Sequence, residues 1–197
     1  MDPIEKEIVN ALEAFGPVAV AHYSKNRDLT QGIKAVLGAI GYNRGYKIFS
    51  SIEKDNDRGL PFDQIRQQIQ PAINLEVPDR DQFLGECLYD ILWWHGDDQR
   101  YIIECPLVAE SEWGGNNAFF KDDFPKLLLA RSEHRIVIFE GYPPPPEPYR
   151  ENNVAERINC CKEQIRNFSH TQKGDRYLFC AWQWGKQEFL FDLFIAP

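Results

Sequence analysis

Three acidic residues interrupt two otherwise apolar stretches of the chain: Asp90 in the first, and Glu110 and Glu112 in the second. Residues two apart in a β-strand point to the same face, so the two glutamates are predicted to share one side of a sheet. If the two stretches pair as strands, Asp90 lies beside Glu110. Carboxylates packed together repel one another and lose hydration, which is unfavourable without a cation. Mg²⁺ suits such a site, because it prefers oxygen ligands and leaves room for a phosphate.

The two stretches that must position these acids have the composition of β-strands. Residues 85–94 and 100–113 are rich in β-branched, aromatic and aliphatic side chains, and residues 95–98 between them have turn chemistry. We therefore predict two adjacent antiparallel strands. Pro106 within the second predicts a bulge or an edge position, since proline cannot donate a hydrogen bond to a neighbouring strand.

The remaining elements follow from hydrophobic periodicity and from residues that cap or break helices. Helices are predicted at residues 2–15 (ended by Gly16 and Pro17), at 29–40, at 61–73, after a cap at Asp122 or Asp123, and at 152–168. Further strands are predicted at residues 46–50, 135–139, 176–184 and 188–195, with a hairpin turn at 185–187 and the prolines at 143–146 as an extended connector. This order of elements predicts an α/β three-layer sandwich, with a central mixed sheet flanked by helices.

Length, charge and cysteine content limit the class of protein. A chain of 197 residues is expected to form a single domain, residues 1–197. Without a run of about 18 apolar residues, no membrane partner is expected. The five cysteines lack a paired spacing, which indicates reduced thiols and a cytoplasmic location. The net charge of -8 opposes non-specific binding to nucleic acid, so any such surface must be local, assisted by metal or supplied by a partner.

The spacing of the acids resembles the pattern of the PD-(D/E)XK, or restriction-endonuclease-like, nuclease superfamily. In that pattern an Asp in or after one strand is followed, about twenty residues later, by Glu-x-Lys or a variant on the neighbouring strand, and then by a helix and a strand. Asp90 matches the Asp and Glu110 the (D/E) position, whereas Glu112 stands where the family usually has Lys. Some members carry this lysine on the following helix, and Lys126 fits that position. The matching region is residues 85–140, and residues 147–197 would be a C-terminal extension with a helix and a β-hairpin.

The resemblance implies a divalent-metal-dependent phosphodiesterase acting on DNA or RNA. Asp90 and Glu110 would ligate Mg²⁺ or Mn²⁺, and Glu112 would ligate the metal or orient the attacking water. The metal would activate that water and stabilise charge on the scissile phosphate. Lys126 would neutralise charge that develops during the reaction. The resemblance thus implies four catalytic residues, three of them metal ligands.

Two other interpretations are compatible with the same residues. The first is a non-catalytic interaction protein on the same nuclease-like fold, because the strand lacks the Glu-x-Lys lysine and the surface is acidic. A protein partner or a homodimer would then be expected. The second is an unrelated α/β protein in which Asp90, Glu110 and Glu112 simply face solvent. If the Asp90 and Glu110 carboxylates lie close together, the unrelated α/β protein is excluded. Only an activity assay then distinguishes the nuclease from the interaction protein.

Overall fold

A computed structural model describes residues 1–52, 59–85, 87–96, 101–113, 122–141 and 154–197. The helices in these ranges are α1 (Pro3–His22), α2 (Asn26–Asn43), α3 (Phe62–Ile73), α4 (Phe124–Leu129) and α5 (Val154–Asn167). The strands are β1 (Lys47–Phe49), β2 (Ile91–Gly96), β3 (Ile102–Glu112), β4 (His134–Glu140), β5 (Arg176–Gln183) and β6 (Glu188–Ile195). A single 3₁₀ turn, Arg80–Gln82, lies between α3 and β2 in the described part of the chain.

The six strands form one mixed sheet in the order β1-β2-β3-β4-β5-β6. The pairs β1–β2, β2–β3 and β5–β6 are antiparallel, whereas β3–β4 and β4–β5 are parallel. The short α4 connects β3 to β4 and the longer α5 precedes β5, as parallel neighbours require a crossover connection. The predicted pairing of the two acid-bearing strands is confirmed. Because β5 and β6 continue the sheet beyond β4, the C-terminal hairpin is an integral part of it.

Helices cover both faces of the sheet. On one face, buried residues of α1, α2 and α3 pack against side chains such as Trp93 and Ile136. On the other face, α4 and α5 pack against Val137 and Phe179. The two hydrophobic clusters lie on opposite sides because successive residues of a strand point in opposite directions. The predicted three-layer α/β sandwich is therefore confirmed.

The first helix is longer than its sequence pattern predicts. Gly16 and Pro17 do not end it, and α1 continues to His22. A Cβ at Gly16 would be in ordinary van der Waals contact with the ring of Trp182, 3.4 Å away, so this part of the helix lies against the core. Ala19, one turn later, is also buried in the core. This packing against distant residues offsets the hydrogen bond that proline removes from a helix.

The strand next to Asp90 begins later in the chain than predicted. It begins at Ile91, so Asp90 directly precedes β2 instead of interrupting it. The preceding residues run in bends, and Leu88 is 75% exposed despite its apolar side chain. The pairing of β2 with β3 shifts register between the Trp93 and His95 positions, next to Pro106, which confirms the predicted irregularity there.

Parts of the sequence interpretation concern residues outside the described ranges. These are the turn residues Asp97 and Asp98, the prolines at 143–146 and the first two residues of the helix predicted at 152–168. Within the described ranges, none of the helices combines the length and the hydropathy needed to cross a membrane.

Candidate functional site

Asp90 and Glu110 lie opposite each other at one end of the sheet. Ile91 pairs with Ala109 in the antiparallel ladder of β2 and β3, so the residue before Ile91 faces the residue after Ala109. This is also the end at which the parallel strands β3 and β4 terminate. In open α/β sheets, ligands commonly bind at the carboxyl ends of the strands. The predicted neighbours are thus brought together by register alone.

The Asp90 carboxylate is held in place by contacts to both of its oxygens. The backbone N–H of Ser111 donates a hydrogen bond to Oδ2 at 2.9 Å. On the other side, the Lys34 ammonium of α2 lies 3.3 Å from Oδ1. The Ser50 hydroxyl donates to the backbone carbonyl of Asp90 at 2.7 Å. The side chain remains 24% exposed, so it is both oriented and accessible.

Glu110 is the more deeply buried of the two acids, at 3% exposure. Burial, followed by the nearby charge of Asp90, raises the pKa of its carboxyl to about 8, although Lys126 acts in the opposite direction. The Lys126 ammonium lies 3.2 Å from Oε1. This ammonium offsets the cost of burying Oε1, which accepts no further hydrogen bond.

Lys126 connects α4 to the acidic pair. Its ammonium donates a hydrogen bond to Asp123 Oδ1 at 2.8 Å and also faces Glu110. Burial lowers the pKa of Lys126, but the two carboxylates outweigh it and the net shift is upward. Asp123 occupies the N-cap position of α4, yet its side chain binds Lys126 instead of capping the helix. Because the Lys126 side chain is 42% exposed, it is the cation of this site that solvent reaches.

Glu112 shares a face of β3 with Glu110 but has a different electrostatic neighbour. Burial is the largest cause of the raised pKa of Glu140, and the negative charge of Glu112 raises it further. The hydrogen bond that Trp184 N–H donates to Glu140 acts in the opposite direction. Within the described residues, Glu112 does not complete a three-ligand group with Asp90 and Glu110. The structure therefore brings together Asp90, Glu110 and Lys126, whereas the charge of Glu112 acts on Glu140 at the end of β4.

Another acidic cluster lies at the opposite end of β4. Of the described residues, only Asp2, Glu5 and His134 bring three potential metal-ligand atoms within 4.8 Å of one another. Both Glu5 oxygens already accept hydrogen bonds from Arg176, each at 2.7 Å. Asp2 and Glu5 also form a capping box at the start of α1. Helix capping and the guanidinium account for this cluster without a metal ion.

The donor set at Asp90 and Glu110 fits a hard divalent cation. Mg²⁺ is commonly held by one or two carboxylates, with water and phosphate oxygens completing its shell. Glu110 Oε1 faces the Lys126 ammonium and accepts no further hydrogen bond, and Asp90 lies opposite Glu110 just before β2. In the described part of the chain these two residues lie opposite each other, and the assignment of Glu112 as a third ligand stays a prediction.

Lys34 and Asp123 belong to the site but were not assigned to it from the sequence. Lys34 is 5% exposed within α2, a helix in which residues 31–41 are all buried. A lysine within the mostly apolar run at residues 32–41 is an available signal, because buried charges need a partner. No such signal marks Asp123, which has the residue type and position of an ordinary helix cap.

Comparison of the chain with protein-family models, with curated proteins and with solved structures gives no match.

Proposed function

We propose that the protein hydrolyses phosphodiester bonds in DNA or RNA with a divalent cation, Mg²⁺ or Mn²⁺, held by Asp90 and Glu110. The observation that carries this proposal is that Asp90, just before β2, lies opposite Glu110 of β3, with Lys126 3.2 Å from Glu110. Clustered acids beside an accessible lysine suit a substrate that carries negative charge and a reaction that develops more.

Each side chain has a distinct role in the proposed reaction. When bound, the divalent cation lowers the pKa of a water molecule and stabilises negative charge on the phosphate. Asp90 is fixed by Ser111 N–H and by Lys34, so it presents a ligand that needs no reorientation. Glu110 supplies the second carboxylate, and it must lose its proton to do so. Lys126 is accessible enough to contact a phosphate oxygen. Glu112 keeps the role of orienting the attacking water.

The PD-(D/E)XK resemblance supports this proposal through the order of the elements. Asp90 precedes β2, Glu110 lies in β3, and Lys126 lies in α4, which leads into β4. The lysine on α4 lies close enough to Glu110 to serve in place of the missing Glu-x-Lys lysine. The free state of all five cysteines is consistent with a proposed cytoplasmic location, where thiols remain reduced.

A second candidate function is a non-catalytic interaction protein built on the same fold. The observation that favours it is charge pairing: Lys34 faces Asp90, and Lys126 faces Glu110. Asp90 and Glu110 each have an ammonium group within 3.3 Å, so neither carboxylate requires a metal as its only cation. The two candidates differ in what they predict for added cations, because only the nuclease must bind one.

A cleavage assay with matched variants tests the proposal. Wild-type protein is incubated with single-stranded and double-stranded DNA and RNA, in Mn²⁺ or in EDTA. We expect the wild type to cleave in Mn²⁺ but not in EDTA, and Asp90→Asn and Glu110→Gln not to cleave. Glu104→Gln is the control, because Glu104 is an exposed residue of the same strand as Glu110, and it should cleave as the wild type does. Cleavage should fall as salt rises, since phosphate contacts are screened. A wild type that binds Mn²⁺ but cuts none of these substrates would favour the interaction protein.

A further inference from the structure

Lys34 brings a fixed positive charge to the candidate site from the helical layer on the opposite side to α4. Its ammonium lies 3.3 Å from Asp90 Oδ1, and its side chain is 6% exposed, against 24% for Asp90. Burial of an ammonium group is costly unless it is paired and hydrogen-bonded. The position of Lys34 therefore indicates a strong local requirement for positive charge beside Asp90.

The contacts of Lys34 leave its ammonium little freedom to move. It donates hydrogen bonds to the carbonyl oxygen of Ser51 at 3.3 Å and to its hydroxyl at 3.2 Å. With Asp90, these contacts supply three oxygens for the three N–H groups of a lysine. Lys126 differs, because 42% of its side chain is exposed and it can turn toward solvent. The two lysines thus divide into a fixed cation at Asp90 and an accessible cation at Glu110.

This arrangement bears on how many metal ions the site can hold. Sites with two metal ions place the ions about 3.5–4 Å apart, bridged by shared ligands. At Asp90, however, Oδ1 faces the Lys34 ammonium and Oδ2 accepts from Ser111 N–H, so the side toward α2 is already neutralised. Glu110 Oε1 instead faces the accessible Lys126 ammonium at 3.2 Å, which can turn toward solvent and leave this oxygen to a cation.

We propose that the Lys34 ammonium takes the place of a second metal ion, so that the site binds one divalent cation between Asp90 and Glu110. This inference rests on the proposed metal-dependent function and specifies its cofactor stoichiometry. Lys34 is a positioning residue: it holds Asp90 and balances its charge without contacting the substrate. Its removal leaves Asp90 with an unbalanced charge and opens space in which a cation can bind.

The test compares thermal unfolding in EDTA and in Mn²⁺ for three proteins. In Lys34→Met we expect a melting temperature in EDTA below that of the wild type, and a larger rise on addition of Mn²⁺ than in the wild type. The matched control is Lys162→Met, which removes a partly buried lysine paired with Asp192 at 2.7 Å outside the site. The melting temperature of Lys162→Met should rise on addition of Mn²⁺ by the same amount as that of the wild type.

The outcomes separate this inference from the proposed function. If the wild type gains stability in Mn²⁺ and Lys34→Met gains no more than it does, the metal site stands and the role of Lys34 is wrong. If the wild type shows no gain at all, both proposals are wrong. Titration of wild-type protein with Mn²⁺ under paramagnetic resonance provides a reading that does not depend on the folding of the variant. One tightly bound ion per chain supports the inference, whereas two overturn it.

Discussion

Substitution of Glu110 by glutamine is expected to stabilise the metal-free protein at neutral pH while removing a proposed metal ligand. The carboxyl is buried, and burial together with the charge of Asp90 raises its pKa from 4.5 to about 8. The folded protein therefore keeps this proton over a pH range in which the unfolded chain has lost it. The free energy of unfolding must fall as pH rises through that range.

The expected magnitude follows from the size of the shift. Each pKa unit corresponds to about 1.4 kcal/mol, so the ionisable Glu110 costs about 3 kcal/mol of stability near pH 7 and about 4–5 kcal/mol above pH 8. Near pH 4 the cost is small, because the carboxyl is largely protonated in both states. Glutamine has nearly the same shape and does not ionise. Glu110→Gln should therefore match the wild type near pH 4 and exceed it by a few kcal/mol near pH 8.

The assay is urea unfolding in EDTA at a series of pH values, followed by tryptophan fluorescence. EDTA is needed because a bound cation would stabilise the ionised carboxylate and hide the effect. Glu104→Gln is the control, since Glu104 is exposed on the same strand and should show no change in pH dependence. A Glu110→Gln variant that is less stable than the wild type at alkaline pH would refute the reasoning. It would mean that Lys126 stabilises the ionised form more than burial opposes it.

Two further predictions concern the accessible lysine and the packing behind the site. Lys126→Met should lower the rate of cleavage about 10²–10³-fold, as is typical when one group that stabilises transition-state charge is lost. The control is Lys186→Met, which replaces an exposed lysine of the β5–β6 turn and should cleave at the wild-type rate. Gly41→Ala should lower the free energy of unfolding, measured by chemical denaturation, by about 1–3 kcal/mol, because the new methyl group would lie 2.7 Å from Trp93 Nε1. The control is Gly185→Ala, whose methyl group meets open space and should leave stability nearly unchanged.

The sequence predicts the sheet at the site well because the relevant signals are local. Alternation, turn residues and β-branched content place β2 beside β3, and this register suffices to bring Asp90 opposite Glu110. The start of β2 was predicted too early, since the apolar Leu88 has no structural partner that would make it a strand residue. The contribution of an exposed apolar side chain to a fold cannot be read from its residue type alone.

Contacts between distant segments account for most of what the sequence did not predict. The part of α1 after Pro17 packs into a core that includes Trp182, and the fixing of Asp90 depends on Lys34, 56 positions earlier in the numbering. Neither contact produces a periodic pattern in the amino-acid sequence. The assignment of Glu112 as a metal ligand comes from the resemblance and from the face of β3 that it shares with Glu110, and it stays a prediction.

The most direct test of the central claim is the location of Mn²⁺ by anomalous diffraction from crystals soaked with the metal. We predict one strong peak at about 2 Å from carboxylate oxygens of both Asp90 and Glu110, with no second peak between Asp90 and Lys34. The same soak of Glu110→Gln crystals should give no peak. A wild-type protein with no peak at this position, or with metal only at Asp2, Glu5 and His134, would contradict the account.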